Sequence, residues 1–355
     1  MAELVEGKGG TYYPPFPVLG LASDGGQIFL TAGGGGASAS KEVPNVVQAH
    51  RYDEATGKLS TIASLGTEKS VVIGLAYSPS NGLWLASLQA SCRILEFSEE
   101  KNTLTQVCEF VSELEGKEPT QTVARYSPAG DTIATGGTDG VVRVWKTSKP
   151  SAEPTLHLSC GKEKEILDLD FSADGKLLAS CDRTGAGHIW DMASGDEKAK
   201  ISYAVPGEKV PLAVRGVRFI PGGEKGPILV VGATAPRGPA YIGLFGGGDG
   251  TKLGEVKLDA KTPITAMAVD VLGKHVTVNM VNGTKRVYSL PGLKCVTKSK
   301  EVHDLPAPCT AFLGQATVVS GSGDRSINLL TYGGGSAGSA LVYMLAILIV
   351  LLIVL

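Results

Sequence analysis

Thr138-Asp139-Gly140-Val141-Val142-Arg143-Val144-Trp145 decides the fold. An Asp-Gly turn feeds a short run of β-branched residues that closes on a tryptophan, the pattern of a strand leaving a tight hairpin. The arrangement returns at Asp182-Arg183-Thr184-Gly185-Ala186-Gly187-His188-Ile189-Trp190-Asp191, and more weakly at Gly323-Asp324-Arg325-Ser326-Ile327-Asn328-Leu329-Leu330. Trp145 and Trp190 are 45 residues apart. Just upstream, Ser127-Pro128-Ala129-Gly130-Asp131-Thr132-Ile133-Ala134 joins a strand ending in Ser to an apolar strand through a Pro/Gly turn. The same parts occur 49 residues earlier, from Ser78 through Pro79 and Gly82 to Ala86, and 45 residues later, from Ser172 through Asp174 and Gly175 to Ala179.

A steady period of that length holds four short strands, which is one blade of a β-propeller. Inner-strand candidates lie at 18–21, 72–77, 122–126, 166–171, 214–219, 264–269 and 309–312, so seven blades are expected within residues 1–332. The last unit runs out of strands near Tyr332, and the segment around Thr11 to Tyr13 is expected to supply the missing outer strand and close the ring. Closure removes sheet edges that would otherwise invite aggregation. The Gly- and Pro-rich stretch 234–251 reads as two long loops of the fifth blade.

Beyond residue 326 the chain carries no charged residue, and 340–355 is an unbroken apolar run of 16, preceded by a Gly/Ser linker at 333–339. As a helix rising about 1.5 Å per residue it spans about 24 Å. That is slightly short of a ~30 Å hydrocarbon core, and the small residues before it can lengthen it. A single C-terminal transmembrane helix is expected, on an all-β propeller. Residues 1–10 are polar and glycine-rich, unlike a signal peptide, which places the propeller in the cytosol. A chain that stops inside its apolar run also leaves open a missing lumenal portion. Six cysteines without a C-x-x-C pair suit a reducing compartment, and the sequon Asn282-Gly283-Thr284 is expected to stay unmodified. The net charge of −2, with no basic stripe, argues against nucleic acid.

The connection after Gln27-Ile28-Phe29-Leu30-Thr31-Ala32 breaks the repeat: Gly33-Gly34-Gly35-Gly36-Ala37-Ser38-Ala39-Ser40-Lys41-Glu42-Val43-Pro44-Asn45 replaces what a two-residue turn would do. Four glycines lose much backbone entropy on ordering. A phosphate loop would need a Lys directly after glycine and a following helix, and Val43-Pro44 leads back into a strand instead. Among the sequence motifs there is no nucleophile elbow, paired acid or zinc signature, so neither covalent catalysis nor a small-molecule substrate is expected. Several glycine carbonyls can turn toward one point, which suits a weakly hydrated cation such as K⁺. Asn45, read as an exposed loop residue, can bond either to the loop or to a partner.

Four glycines and Val43-Pro44-Asn45 in the first of seven WD-type blades, with an apolar C-terminal run, resemble the endoplasmic-reticulum guanine-nucleotide exchange factors of the Sar-type small GTPase. The resemblance covers essentially the whole chain. It implies a WD-repeat propeller anchored in the endoplasmic-reticulum membrane that loads the GTPase with GTP and starts COPII assembly, without covalent chemistry. It also implies K⁺ held by Gly33, Gly34, Gly35, Gly36 and Asn45, with Asn45 required for exchange, Val43 standing where Ile is usual, and His303 as a second exchange residue. Lys41 and Glu42 depart from the small or amide residues typical of that loop. For His303 a structural place inside the blade is an equal alternative. Asp139, Arg143, Trp145, Asp182, Trp190, Asp191, Asp324 and Arg325 read as blade framework. Two other readings stand beside exchange: an exchange-inactive anchored propeller that assists membrane-protein export, and a generic WD-repeat scaffold.

Overall fold

Short runs of apolar residues punctuated by Asp, Pro and Gly give strands of four to nine residues in the first six blades, and the second strand is deeply buried, as in Leu177–Asp182, where every residue is buried. The computed structural model describes residues 4–7, 9–112, 120–150, 153–162, 164–208, 211–221, 226–235 and 237–332. The expected linker 333–339 and anchor 340–355 lie outside the described residues. Among those described, no helix is long and apolar enough to cross a membrane.

The strands form seven sheets, six of four strands and one of five. Each is an antiparallel meander from the central channel outward. Blade one runs Val18–Ser23, Ile28–Gly33, Val46–Asp53, Lys58–Gly66. The seven inner strands are Val18–Ser23, Gly74–Tyr77, Gln121–Tyr126, Ile166–Phe171, Ala213–Ile220, Ile264–Val269 and Cys309–Leu313, matching the seven expected positions within two residues. Between Thr234 and Thr251 the expectation of two long loops fails: two five-residue connections, 235–239 and 247–251, flank the strand Ala240–Gly246. Gly243 is there for packing, because a Cβ on it would lie 2.6 Å from the Tyr203 hydroxyl.

Blades are glued by apolar clusters that cross their boundaries. Trp145 packs with Phe110, Ile94 and Leu85 of the preceding blade, and Trp190 with Val142, Val144 and Leu158. Each indole N–H donates inward at 2.9 Å, from Trp145 to Thr135 Oγ1 and from Trp190 to Ser180 Oγ. Arg143 and Asp139 pair at 2.5 Å while almost fully buried, and His188 bridges Asp182 and Glu197. These framework residues hold blades, as their spacing suggested.

The ring closes as expected. Thr11–Tyr13 pairs with Ile327–Thr331, and an unforeseen strand, Val5–Glu6, adds outside it. Asn328 sits at the seam. Its Nδ2 donates to Thr11 Oγ1 at 2.8 Å, while its Oδ1 and main-chain oxygen accept from Lys285 Nζ of blade six at 2.6 and 2.9 Å. Lys285 is fully buried, and that burial depresses its pKa well below the usual lysine value. We expect Asn328→Leu to leave Lys285 with one acceptor and the Thr11 hydroxyl without its donor. The loss in unfolding free energy should be about 2–3 kcal/mol in urea titrations, against about 1 kcal/mol for Thr11→Val.

Candidate functional site

Residues 34–45 join the second and third strands of blade one. They sit at the end of the propeller where each outer strand also returns to the next inner strand. The glycines are sterically required at two places. A Cβ on Gly33 would fall 1.9 Å from the Pro17 carbonyl oxygen, and one on Gly34, at φ 144°, only 2.3 Å from Asn45 Oδ1. Gly36 has open space around it but sits at φ 60°, in the left-handed region.

The loop is built from closed turns. One turn of 3-10 helix, Gly36–Ser38, is fixed by Ser38 N–H to Gly35 O and Ala39 N–H to Gly36 O, both at 3.1 Å. The Ser40 hydroxyl accepts from the N–H groups of Glu42 and Val43 at 3.2 and 3.1 Å. Residues 37–42 are exposed, so the tip projects from a braced base. Val43 does not project: it is half-buried against the apolar cluster of Phe16, Val18 and Val46.

Asn45 is the brace. Its side-chain Oδ1 accepts from Gly36 N–H at 2.8 Å, and its Nδ2 donates to Gly36 O at 2.9 Å and to Glu68 O at 3.1 Å. Its carbonyl takes Thr67 N–H at 3.0 Å. Asn45 is only 4% exposed, which corrects its reading as an exposed loop residue. Of the two uses open to its amide, the geometry fills the internal one, tying the glycine loop to the connector between blades one and two. Sequence reading missed Thr67 and Glu68. Glu68 acts through its backbone, held at φ 56°, and the Thr67 hydroxyl steadies it by bonding Ser70 O at 2.7 Å. No side-chain pattern marks a carbonyl as an acceptor, so only the Thr-x-x-Ser turn hinted at order there.

For a cation, the donors are neutral oxygens. Among the described residues no cluster of His, Cys, Asp or Glu could hold a metal ion. Gly36 O already accepts two hydrogen bonds, and Asn45 Oδ1 keeps one lone pair. The carbonyls of Gly34 and Ser38 take no hydrogen bond among the described residues. That set fits a weakly hydrated monovalent ion better than a divalent one, and Gly36 fits less well than the sequence suggested.

His303 lies in the connector into blade seven, beside a concavity of about 790 Å³ that includes Gly9, Val281 and Asn282. Its ring is turned inward, with Nδ1 2.5 Å from Ser326 Oγ and Nε2 2.7 Å from Ser320 Oγ. Burial, reinforced by the nearby Lys285 and opposed by Asp324, pushes its pKa down to about 4. Both ring nitrogens are engaged within the blade, the internal place that the sequence left as an equal alternative, and the ring locks the connector. His50, buried in blade one, is likewise pushed down to about 3 by burial.

The WD domain, G-beta repeat, matches residues 108–146 and 153–191, the two units that end in Trp145 and Trp190. The mouse guanine nucleotide-exchange factor SEC12 is 30% identical over 207 residues, covering 47% of this chain and 48% of that protein. The Arabidopsis thaliana SEC12-like protein 1 is 25% identical over 276 residues, covering 76% and 65%. The chain thus spans about half the length of the mouse relative it matches. A chain of the solved assembly "COPII on membranes, outer coat vertex" superposes with a TM-score of 0.76 at 15% identity, over 89% of this chain and 84% of that one, a likeness of fold alone.

Asn45→Ala should orphan Gly36 N–H and Glu68 O and lower stability by about 1–3 kcal/mol. Hydrogen exchange over residues 34–40 should report the loosened loop directly. The histidines give a second check. With folded pKa values below the ordinary imidazole value, the unfolded chain takes up protons first, so stability is complete above pH 6.5 and falls as pH drops toward 4. Each such histidine contributes a slope of about 1.4 kcal/mol per pH unit in that window. Removing one by His303→Gln should flatten the measured dependence of unfolding free energy on pH.

Proposed function

We propose that this chain is a guanine-nucleotide exchange factor for a Sar-type small GTPase, held in the endoplasmic-reticulum membrane by residues 340–355 and acting at the start of COPII coat formation. The observation that carries the reading is the braced glycine loop: an exposed tip at residues 37–42, on a base fixed by Asn45, in a propeller similar to SEC12. A floppy insertion would have to be ordered at the moment of docking, whereas a loop ordered beforehand keeps that free energy for the partner.

The mechanism is linkage. Bond chemistry in the nucleotide is not involved. The loop face grips the GTPase, and the tip competes with the groups that hold nucleotide and Mg²⁺. If the propeller binds the empty GTPase more tightly than the loaded one, it must weaken nucleotide binding by the same factor. Released GDP is then replaced by GTP. The role of Asn45 is to hold the wedge in shape, with Val43 anchoring its return to the strand. K⁺, bound by the free carbonyls of the loop, would stiffen the same segment, and His303 contributes by fixing the connector on the same face.

GDP release from a Sar-type GTPase should rise about 100-fold with the full chain present. Asn45→Ala should remove most of that gain, and potassium buffer should outperform sodium. Lys41→Ala with Glu42→Ala, both exposed, should leave unfolding unchanged while altering exchange. Absence of any acceleration by the unaltered chain overturns the exchange reading and leaves an anchored scaffold.

A further inference from the structure

The turns between first and second strands all lie at the end of the propeller opposite the glycine loop. Six of the seven tips are fully described: Asp24-Gly25-Gly26-Gln27, Pro79-Ser80-Asn81-Gly82, Pro128-Ala129-Gly130-Asp131, Ala173-Asp174-Gly175-Lys176, Val271-Leu272-Gly273-Lys274 and Gly314-Gln315-Ala316. Only blade six places large aliphatic side chains there, and both are open to solvent, Val271 at 61% and Leu272 at 64%.

The turn does not need them. Asp270 fixes its shape by accepting Lys274 N–H at 2.7 Å and holding His275 Nδ1 at 2.8 Å, while Gly273 at φ 66° supplies the left-handed residue. An exposed Val or Leu forgoes about 1.5–3 kcal/mol of transfer free energy that burial would return. Single exposed apolar residues are ordinary, but an adjacent pair confined to one of six equivalent tips asks what covers it.

The chain's exit point answers. Tyr332, the last described residue, donates its N–H to Ala316 O at 2.8 Å, and its ring packs edge-on to His275 at 5.1 Å. The chain therefore leaves the propeller on this face and beside this turn. Seven residues, 333–339, separate it from the apolar run, and seven extended residues reach at most about 25 Å. Lys274, exposed in the same turn, adds the positive charge favoured at a headgroup layer.

We propose that the Val271-Leu272 tip dips into the interfacial layer of the bilayer that holds residues 340–355, so that the propeller rests on the membrane along this edge. The inference builds on the anchor reading given above. It is tested with the full chain reconstituted in phosphatidylcholine vesicles with or without brominated acyl chains, carrying Leu272→Trp or, on the opposite face, Leu305→Trp. The native Trp84, Trp145 and Trp190 are buried and give a constant background. Flotation with the vesicles and selective quenching of the introduced indole at position 272 are expected. Flotation with equal quenching at 272 and 305, or with no quenching at 272, overturns the docked edge and keeps the anchor. An indole at 272 shielded from aqueous iodide but untouched by bromine means that protein covers the tip, which also overturns it. Failure to float overturns anchor and edge together.

Discussion

Blade seven is assembled from both ends of the propeller, and everything else depends on that seam. Six sheets are each continuous in sequence, whereas the seventh takes its outer strands, Thr11–Tyr13 and Val5–Glu6, from the opposite end of the domain. An open seven-blade arc would leave an unpaired strand edge and an uncovered apolar blade face. The closing strand removes both. The hydrogen bonds around Asn328 make closure specific, because one side chain must satisfy Lys285 of blade six and Thr11 of the closing strand at once. The same seam sets blade seven against blade one: Gly321, at the end of blade seven's second strand, admits Val18 so closely that a Cβ on it would lie 2.3 Å from a Val18 methyl. Blade one, which carries the glycine loop, is thereby held from both sides.

The glycine loop is rigid at its root and exposed at its tip, and the two properties have different causes. Rigidity comes from one amide side chain that reproduces the hydrogen bonding of a peptide group, engaging the N–H and C=O of Gly36 together. Exposure follows from composition, since Ala37, Ser38 and Ala39 are too small to fold back onto the blade. The site is thus a matter of backbone placement. The residues closest to it act through main-chain atoms or through bonds to them.

The fold could be read from sequence because blade turns are local: Asp139-Gly140 and its counterparts each fix a hairpin within a few residues, and the repeat multiplies a weak signal. The closing strand was readable by elimination, from a last blade one strand short. Around the site, sequence carried less. Asn45 was singled out as a loop residue, but its burial depends on Glu68 O, contributed by a backbone 23 residues away. Nothing in the residue type of Glu68 announces that. His303 illustrates a related limit, since a histidine before an inner strand looks the same whether it faces Ser320 and Ser326 or a partner. Glycine itself misled at 240–246, where Gly243 makes room for the Tyr203 ring and composition suggested a loop.

The seam also orders events in time. Thr11 and Asn328 are 317 residues apart along the chain. A ribosome making this protein releases the closing strand long before its partner. Throughout synthesis the N-terminal strand has no ladder to join, while completed blades accumulate behind it with apolar flanks uncovered. The ring can seal only once Ile327–Thr331 has emerged, and the apolar run at 340–355 follows a few residues later. Completion of the propeller and appearance of the most apolar stretch of the chain therefore fall in the same short interval, which leaves little time in which that stretch trails an unfinished propeller.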